Sequence, residues 1–147
     1  MDFEAVRRTV NDVVDAMWAT DPRDGFIVRD PRLSSSCEQV SVSIAAVLDD
    51  RGLGRWTFVQ ASRPGESNGH AWLEWRVDDT VEFAIDATLQ QFHEHPAFID
   101  QGQTPAADEF TEINYRGPIE EWKWFDTGSL PFTRLVDAVR HELSLRR

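Results

Sequence analysis

The sequence predicts an α+β domain, with amphipathic helices at both ends and a small antiparallel sheet in the middle. Three patterns lead there. Apolar residues recur at three-to-four spacing over Asp2 to Thr20, Glu38 to Asp50 and Pro131 to Leu145. Between the second and third of these lie short runs rich in aromatic and branched residues. Glycine, proline and aspartate clusters separate the runs at turn-like intervals.

The first helix, Asp2 to Thr20, places Phe3, Val6, Val10, Val13, Val14 and Met17 on one face, and Asp21-Pro22-Arg23-Asp24-Gly25 ends it. Phe26 to Val28 reads as a short extended piece. Any of Ser34, Ser35 or Ser36 can cap the second helix, whose inward face is Val40, Ile44, Val47 and Leu48. Cys37 opens that helix one turn before Val40. Arg51-Gly52-Leu53-Gly54 closes it, glycine being suited to a left-handed C-terminal stop. Arg55 to Ala61 is the first strand and Ser62 to Gly69 a polar loop. His70 to Val77 and Val81 to Thr88 form an antiparallel pair around Asp78-Asp79-Thr80. In the His70 run, Ala71, Leu73, Trp75 and Val77 alternate with His70, Trp72, Glu74 and Arg76, so His70 and Trp72 share a face. Pro96 to Asn114 lacks a clear period and reads mostly as loop. The closing helix buries Phe132, Leu135, Val136, Val139 and Leu143.

With 147 residues, 41% of them hydrophobic, residues 1–147 read as a single domain able to bury a substantial core. A formal net charge of −11 repels phosphates and argues against a nucleic-acid partner. It is read here as a solubility feature. A single cysteine cannot close an internal disulfide, and the N-terminus lacks an apolar signal core. No run approaches the ~20 apolar residues of a membrane span. The expectation is a soluble, cytoplasmic protein with no membrane partner and no cofactor.

Cys37, His70 and Asp86 carry the chemistry. His70 follows Cys37 by 33 residues (70 − 37), and Asp86 follows His70 by 16 (86 − 70). A thiol at a helix start, an imidazole at a strand start and a carboxylate at the end of the next strand are the types and placements that thiol catalysis requires. Helix N-termini and imidazolium groups both favour the nucleophilic thiolate, and a carboxylate fixes the imidazole's tautomer and orientation. Asp86 lies in the apolar run Phe83-Ala84-Ile85-Asp86-Ala87, where a carboxylate is costly without a partner. A metal site is the poorer reading of these residues, because no second soft ligand or Cys-x-x-Cys pattern accompanies them, and His93-Glu94-His95 reads as a solvated loop. The expected oxyanion donor is the Cys37 backbone N–H, with Gln39, Gln60 or Gln91 as candidate second donors among which the sequence does not choose. Trp72 and Gln91 are the candidate substrate contacts. Trp122 and Trp124 read as core packing.

Gly69-His70-Ala71-Trp72-Leu73-Glu74-Trp75, followed by Phe83-Ala84-Ile85-Asp86-Ala87-Thr88, resembles the transglutaminase-like cysteine enzymes. The superfamily pattern is a cysteine-led helix, a His-Ala-Trp-x-Glu strand and an Asp-x-Thr strand end, an order shared by arylamine N-acetyltransferases, peptide N-glycanases and bacterial transglutaminase-like proteases. The resemblance covers about Ser34 to Phe92. It implies a transglutaminase-like, papain-like fold with the cysteine-bearing helix packed on the sheet. It also implies Cys37 as nucleophile, His70 as general base and acid, and Asp86 as orienting group. The expected activity is acyl transfer through a Cys37 thioester on a peptide, protein or small acyl substrate, as protease, amidase, deamidase or transamidase. The alternative is a non-catalytic protein- or peptide-binding module of the same fold.

Overall fold

In the computed structural model, residues 1–21, 37–66, 69–89, 97–122 and 132–146 are described. Three helices, α1 (Phe3–Ala19), α2 (Cys37–Asp50) and α3 (Phe132–Ser144), accompany five strands: β1 (Thr57–Ser62), β2 (Gly69–Val77), β3 (Thr80–Asp86), β4 (Phe98–Gln101) and β5 (Glu112–Gly117). The sheet order is β4-β3-β2-β1-β5, and every neighbouring pair is antiparallel. This is the α+β arrangement that the patterning predicts. The expectations for Phe26–Val28, Ser34–Ser36, Gln91, His93–His95 and Trp124 lie outside the described residues.

Local chemistry sets the element ends. Asp2 caps α1 by accepting from the Ala5 N–H at 3.0 Å, satisfying one of the helix's orphan donors. At the end of α2, Leu53 N–H donates to Leu48 C=O (2.8 Å) and Gly52 N–H to Asp49 C=O (3.0 Å), with Gly52 at φ +70°. That paired closure requires a left-handed residue, which glycine adopts at low cost. Asp78 and Asp79, at φ +50° and +65°, form the two-residue turn between β2 and β3. Positive φ at both positions matches the right-handed twist of the flanking strands.

The sheet is buried on both faces. On one side Phe58, Ala71, Leu73, Phe83 and Ile85 pack with Val10, Val13 and Met17 of α1, Ile44 and Leu48 of α2, and Leu135 and Val139 of α3. Trp122 joins this main core, as its aromatic composition predicts. On the other side Val59, Ala61, Trp72, Leu89, Ala106 and Phe110 form a second, smaller cluster. Two arginine pairings tie the far end of α2 to the neighbouring helices. Arg51 donates to Thr9 (3.0 Å) and Asp12 (2.9 Å) of α1, and Arg140 of α3 donates to both carboxylate oxygens of Asp50 (2.7 and 2.9 Å).

The expectation of loop over Pro96 to Asn114 is corrected. That stretch holds β4, a 3₁₀ turn at Pro105–Asp108 and the start of β5. Both strands lie at sheet edges; β4 has four residues, and β5 is mostly exposed, so neither displays a two-residue hydrophobic period. The 3₁₀ turn has the signature Thr104-Pro105, a side-chain cap followed by proline at the first position. It also carries Ala106 and leads into Phe110, which together cover the second face of the sheet.

Combining Asp78→Asn with Asp79→Gly puts the residue pair most favoured in such a turn at its two positive-φ positions. The double substitution is expected to stabilise the protein by about 1 kcal/mol, since a left-handed non-glycine residue costs roughly that much. Urea unfolding measures this, and an unchanged or lowered midpoint would contradict the turn assignment.

Candidate active site

The site is built from four segments that the fold brings to one end of β2. Cys37 is the first residue of α2 and is half-buried against the main core. His70 is the second residue of β2, and Asp86 is the last residue of β3. Leu73 pairs with Ile85, and one further step in that register sets Trp72 opposite Asp86. His70 is then a diagonal neighbour of Asp86 on the same face, within reach of a long side chain. Thr104 arrives from the 3₁₀ turn.

His70 and Asp86 are both fully buried, and His70 Nε2 lies 2.8 Å from Asp86 Oδ1. An ionised carboxylate only accepts, so Nε2 carries the proton and donates it. Thr104 Oγ1 donates to the other carboxylate oxygen, Oδ2, at 2.8 Å and itself accepts from the Ala106 N–H at 3.3 Å. Asp86 therefore has a directed partner on each oxygen, which is what a buried carboxylate needs. The imidazole is held between Phe110 and Trp72, with ring centroids 5.4 and 5.8 Å away.

Asp86 occupies Nε2, which leaves Nδ1 as the ring nitrogen for any interaction with the thiol. In the Ser-His-Asp arrangement the two nitrogens have the opposite roles. Burial depresses the His70 pKa. Hydrogen bonds to Asp86 and to Cys37, with their charges, outweigh that effect and push it up to about 9. At neutral pH the ring is an imidazolium between a carboxylate and a sulfur. On the first turn of α2, burial pushes the Glu38 carboxyl up, with contact to Trp122 offsetting part of the rise. Both shifts run in the direction that favours the protonated form of the group.

The remaining candidates fall in different places. Trp72 is 1% exposed and lies within the second cluster, its Nε1 donating to Glu74 Oε2 at 3.1 Å. It supports the imidazole from inside the fold. Glu74, equally buried, also receives Arg76 at 2.7 Å, so the strand face that begins with His70 continues as a closed polar chain. Gln39 is buried, and Gln60 is half-buried on β1. Among the described residues, no group of three His, Cys, Asp or Glu side chains is arranged to hold a metal ion, and no helix is long and apolar enough to cross a membrane. A cavity of about 600 Å³ between α2, α3 and the β1–β5 edge, lined by Ala46, Trp56, Ile119, Val136 and Arg140, includes none of Cys37, His70 and Asp86.

Thr104 is the residue that sequence reasoning missed. Its signal was the Thr-Pro pair that starts a short helical turn, but nothing local links that turn to a carboxylate 18 residues earlier. Comparison with protein-family profiles, curated proteins and solved structures finds no match to this chain.

Because the His70 pKa is about 9 in the fold against an ordinary 6.5, its contribution to stability is complete below about pH 6.5 and is lost as pH rises through about 9. Urea midpoints measured from pH 6 to 10 are expected to fall across that window, and the fall should flatten in His70→Gln. A wild-type profile flat over this range would contradict the assigned imidazolium. Thr104→Val, which keeps shape but removes the donor to Asp86, is expected to cost about 1–3 kcal/mol in the same assay at pH 7.

Proposed function

We propose that this protein is a transglutaminase-like cysteine enzyme that transfers acyl groups through a thioester on Cys37. The observation that supports this reading is the buried His70, held by Asp86 at Nε2 and coupled at the same time to Cys37. A structural histidine buried in a core gains nothing from carrying a charge. One kept protonated by a carboxylate on one side and a thiol on the other is suited to forming a thiolate–imidazolium pair.

The chemistry then runs in two halves. The Cys37 sulfur attacks an amide, ester or thioester carbonyl carbon, forming the C–S bond as the C=O π pair moves to oxygen. The tetrahedral species collapses, the bond to the leaving group breaks, and the His70 imidazolium gives its proton to the departing nitrogen or other basic leaving group. His70, now neutral, takes a proton from water or an amine as that nucleophile attacks the thioester and releases Cys37. Asp86 keeps the ring oriented and favours its protonated form throughout. Water as acceptor gives an amidase, protease or deamidase, and an amine gives a transamidase or acyltransferase. The half-buried thiol at a helix start suits a substrate acyl group that approaches from outside on a flexible peptide or small-molecule arm. The cytoplasm, where a lone thiol stays reduced, is the compartment that fits this chemistry.

Iodoacetamide alkylation of Cys37 at pH 6, followed by mass spectrometry, tests the pair. Wild type is expected to react at least tenfold faster than His70→Ala, because a neighbouring imidazolium is what makes a thiol reactive in a thiolate–imidazolium pair. Equal rates would reduce Cys37 to a packing residue and favour a binding module that retains the fold.

A further inference from the structure

The acyl-transfer step places a negative charge on the substrate oxygen, and donors must be aimed at it before it forms. A side-chain amide lies beside Gly69, the residue that leads into His70. Gln60 lies on β1 opposite Ala71 of β2, and its neighbours Val59 and Ala61 belong to the second cluster. By strand alternation its side chain leaves the opposite face, the one covered by α2. There its amide lies over Gly69. A methyl group on Gly69 would sit 2.0 Å from Gln60 Nε2 and 2.8 Å from the Ala61 carbonyl oxygen. Gly69 immediately precedes His70, and Cys37 packs against this same helix-side core and contacts the His70 ring.

The orientation of that amide is fixed from behind. The β1–β5 register shifts by one residue: Gln60 pairs with Tyr115, but Ala61 pairs with Ile113. Asn114 is the extra residue of the resulting bulge. Its Nδ2 donates to Gln60 Oε1 at 2.7 Å and to Ser62 Oγ at 2.8 Å. Since Asn114 supplies the donor, the Gln60 oxygen faces β5 and its N–H₂ group faces the strand entry at Gly69 and His70. Bulges commonly re-aim a side chain next to a site.

We infer that Gln60 Nε2 is the side-chain oxyanion donor of the Cys37 site, acting with the Cys37 backbone N–H, and that Asn114 is a positioning residue that sets its direction. The inference rests on the acyl-transfer reading. When the thiolate attacks, the electron pair displaced from C=O is received by these two N–H groups; when the intermediate collapses, the pair returns and the leaving group departs. Gly69 is required because any side chain there would occupy the amide's place.

Two reagents separate the oxyanion donor from the thiolate. Alkylation by iodoacetamide displaces iodide at a tetrahedral carbon and forms no oxyanion. Acetylation by p-nitrophenyl acetate passes through one, and its p-nitrophenolate leaving group needs no proton. Both are followed at Cys37 by mass spectrometry, in wild type, Gln60→Ala and the near-isosteric Gln60→Glu. Acetylation is expected to fall roughly 10²–10³-fold in both variants, the loss typical of one oxyanion donor, with alkylation within about twofold of wild type. Acetylation unchanged in Gln60→Ala overturns the assignment. So does a parallel loss of both reactions in both variants, which would mean that Gln60 supports the thiol or the fold. A wild-type thiol that alkylates rapidly yet takes no acetyl group overturns it as well. Failure of the underlying reading has a different signature, wild-type alkylation no faster than His70→Ala.

Discussion

The buried hydrogen bond between His70 and Asp86 is the constraint around which the rest of this end of the molecule is organised. Two titratable groups without solvent contact are stable only if every strong donor and acceptor is directed somewhere. Several otherwise unrelated features answer that demand. β2 and β3 must hold the register that makes the two residues diagonal neighbours. The 3₁₀ turn must bring Thr104 to the second carboxylate oxygen, and Phe110 and Trp72 must close around the ring. The second apolar cluster is therefore more than added core. It shields the His70–Asp86 hydrogen bond from water, and the hydrogen bonds and charges around the ring outweigh the cost that this burial imposes on the charged imidazole.

Much of the fold was legible in the sequence because the buried elements carry strong periods. The three helices, the Cys37 helix start, the β2–β3 hairpin and its aspartate turn follow from spacing and turn chemistry alone. β4 and β5 did not, for a physical reason. Edge strands are held by backbone pairing on one side and expose much of their surface, so their side chains need not alternate. The Pro105–Asp108 turn escaped because a four-residue helix has no period to read.

The site was legible to a different depth at each layer. Cys37, His70 and Asp86 stand out because a thiol, an imidazole and a carboxylate are uncommon types at element ends and within apolar runs. Their supporting residues carry no such mark. Thr104 belongs to a turn, Asn114 to a one-residue register shift, and Gly69 is conspicuous only when the space above it is known. Trp72 sits in the resemblance-bearing strand, where it reads as a wall facing substrate. In the fold it is tied inward by Glu74, because both faces of this sheet are covered.

The arginine pairings at the far end of α2 have a consequence that their modest energies conceal. Arg51 and Arg140 are partly exposed, and such pairs contribute little to stability. Yet they anchor one end of a 14-residue rod whose other end is the sulfur, roughly 20 Å away at ~1.5 Å per residue. The helix is a lever with its fulcrum at Asp50. A swing of about 3° at the anchor displaces Cys37 by about 1 Å, a misplacement of the size that can cost a reaction ~10²-fold. Surface charges that scarcely affect melting are thus placed where a small change of angle would be felt most at Cys37.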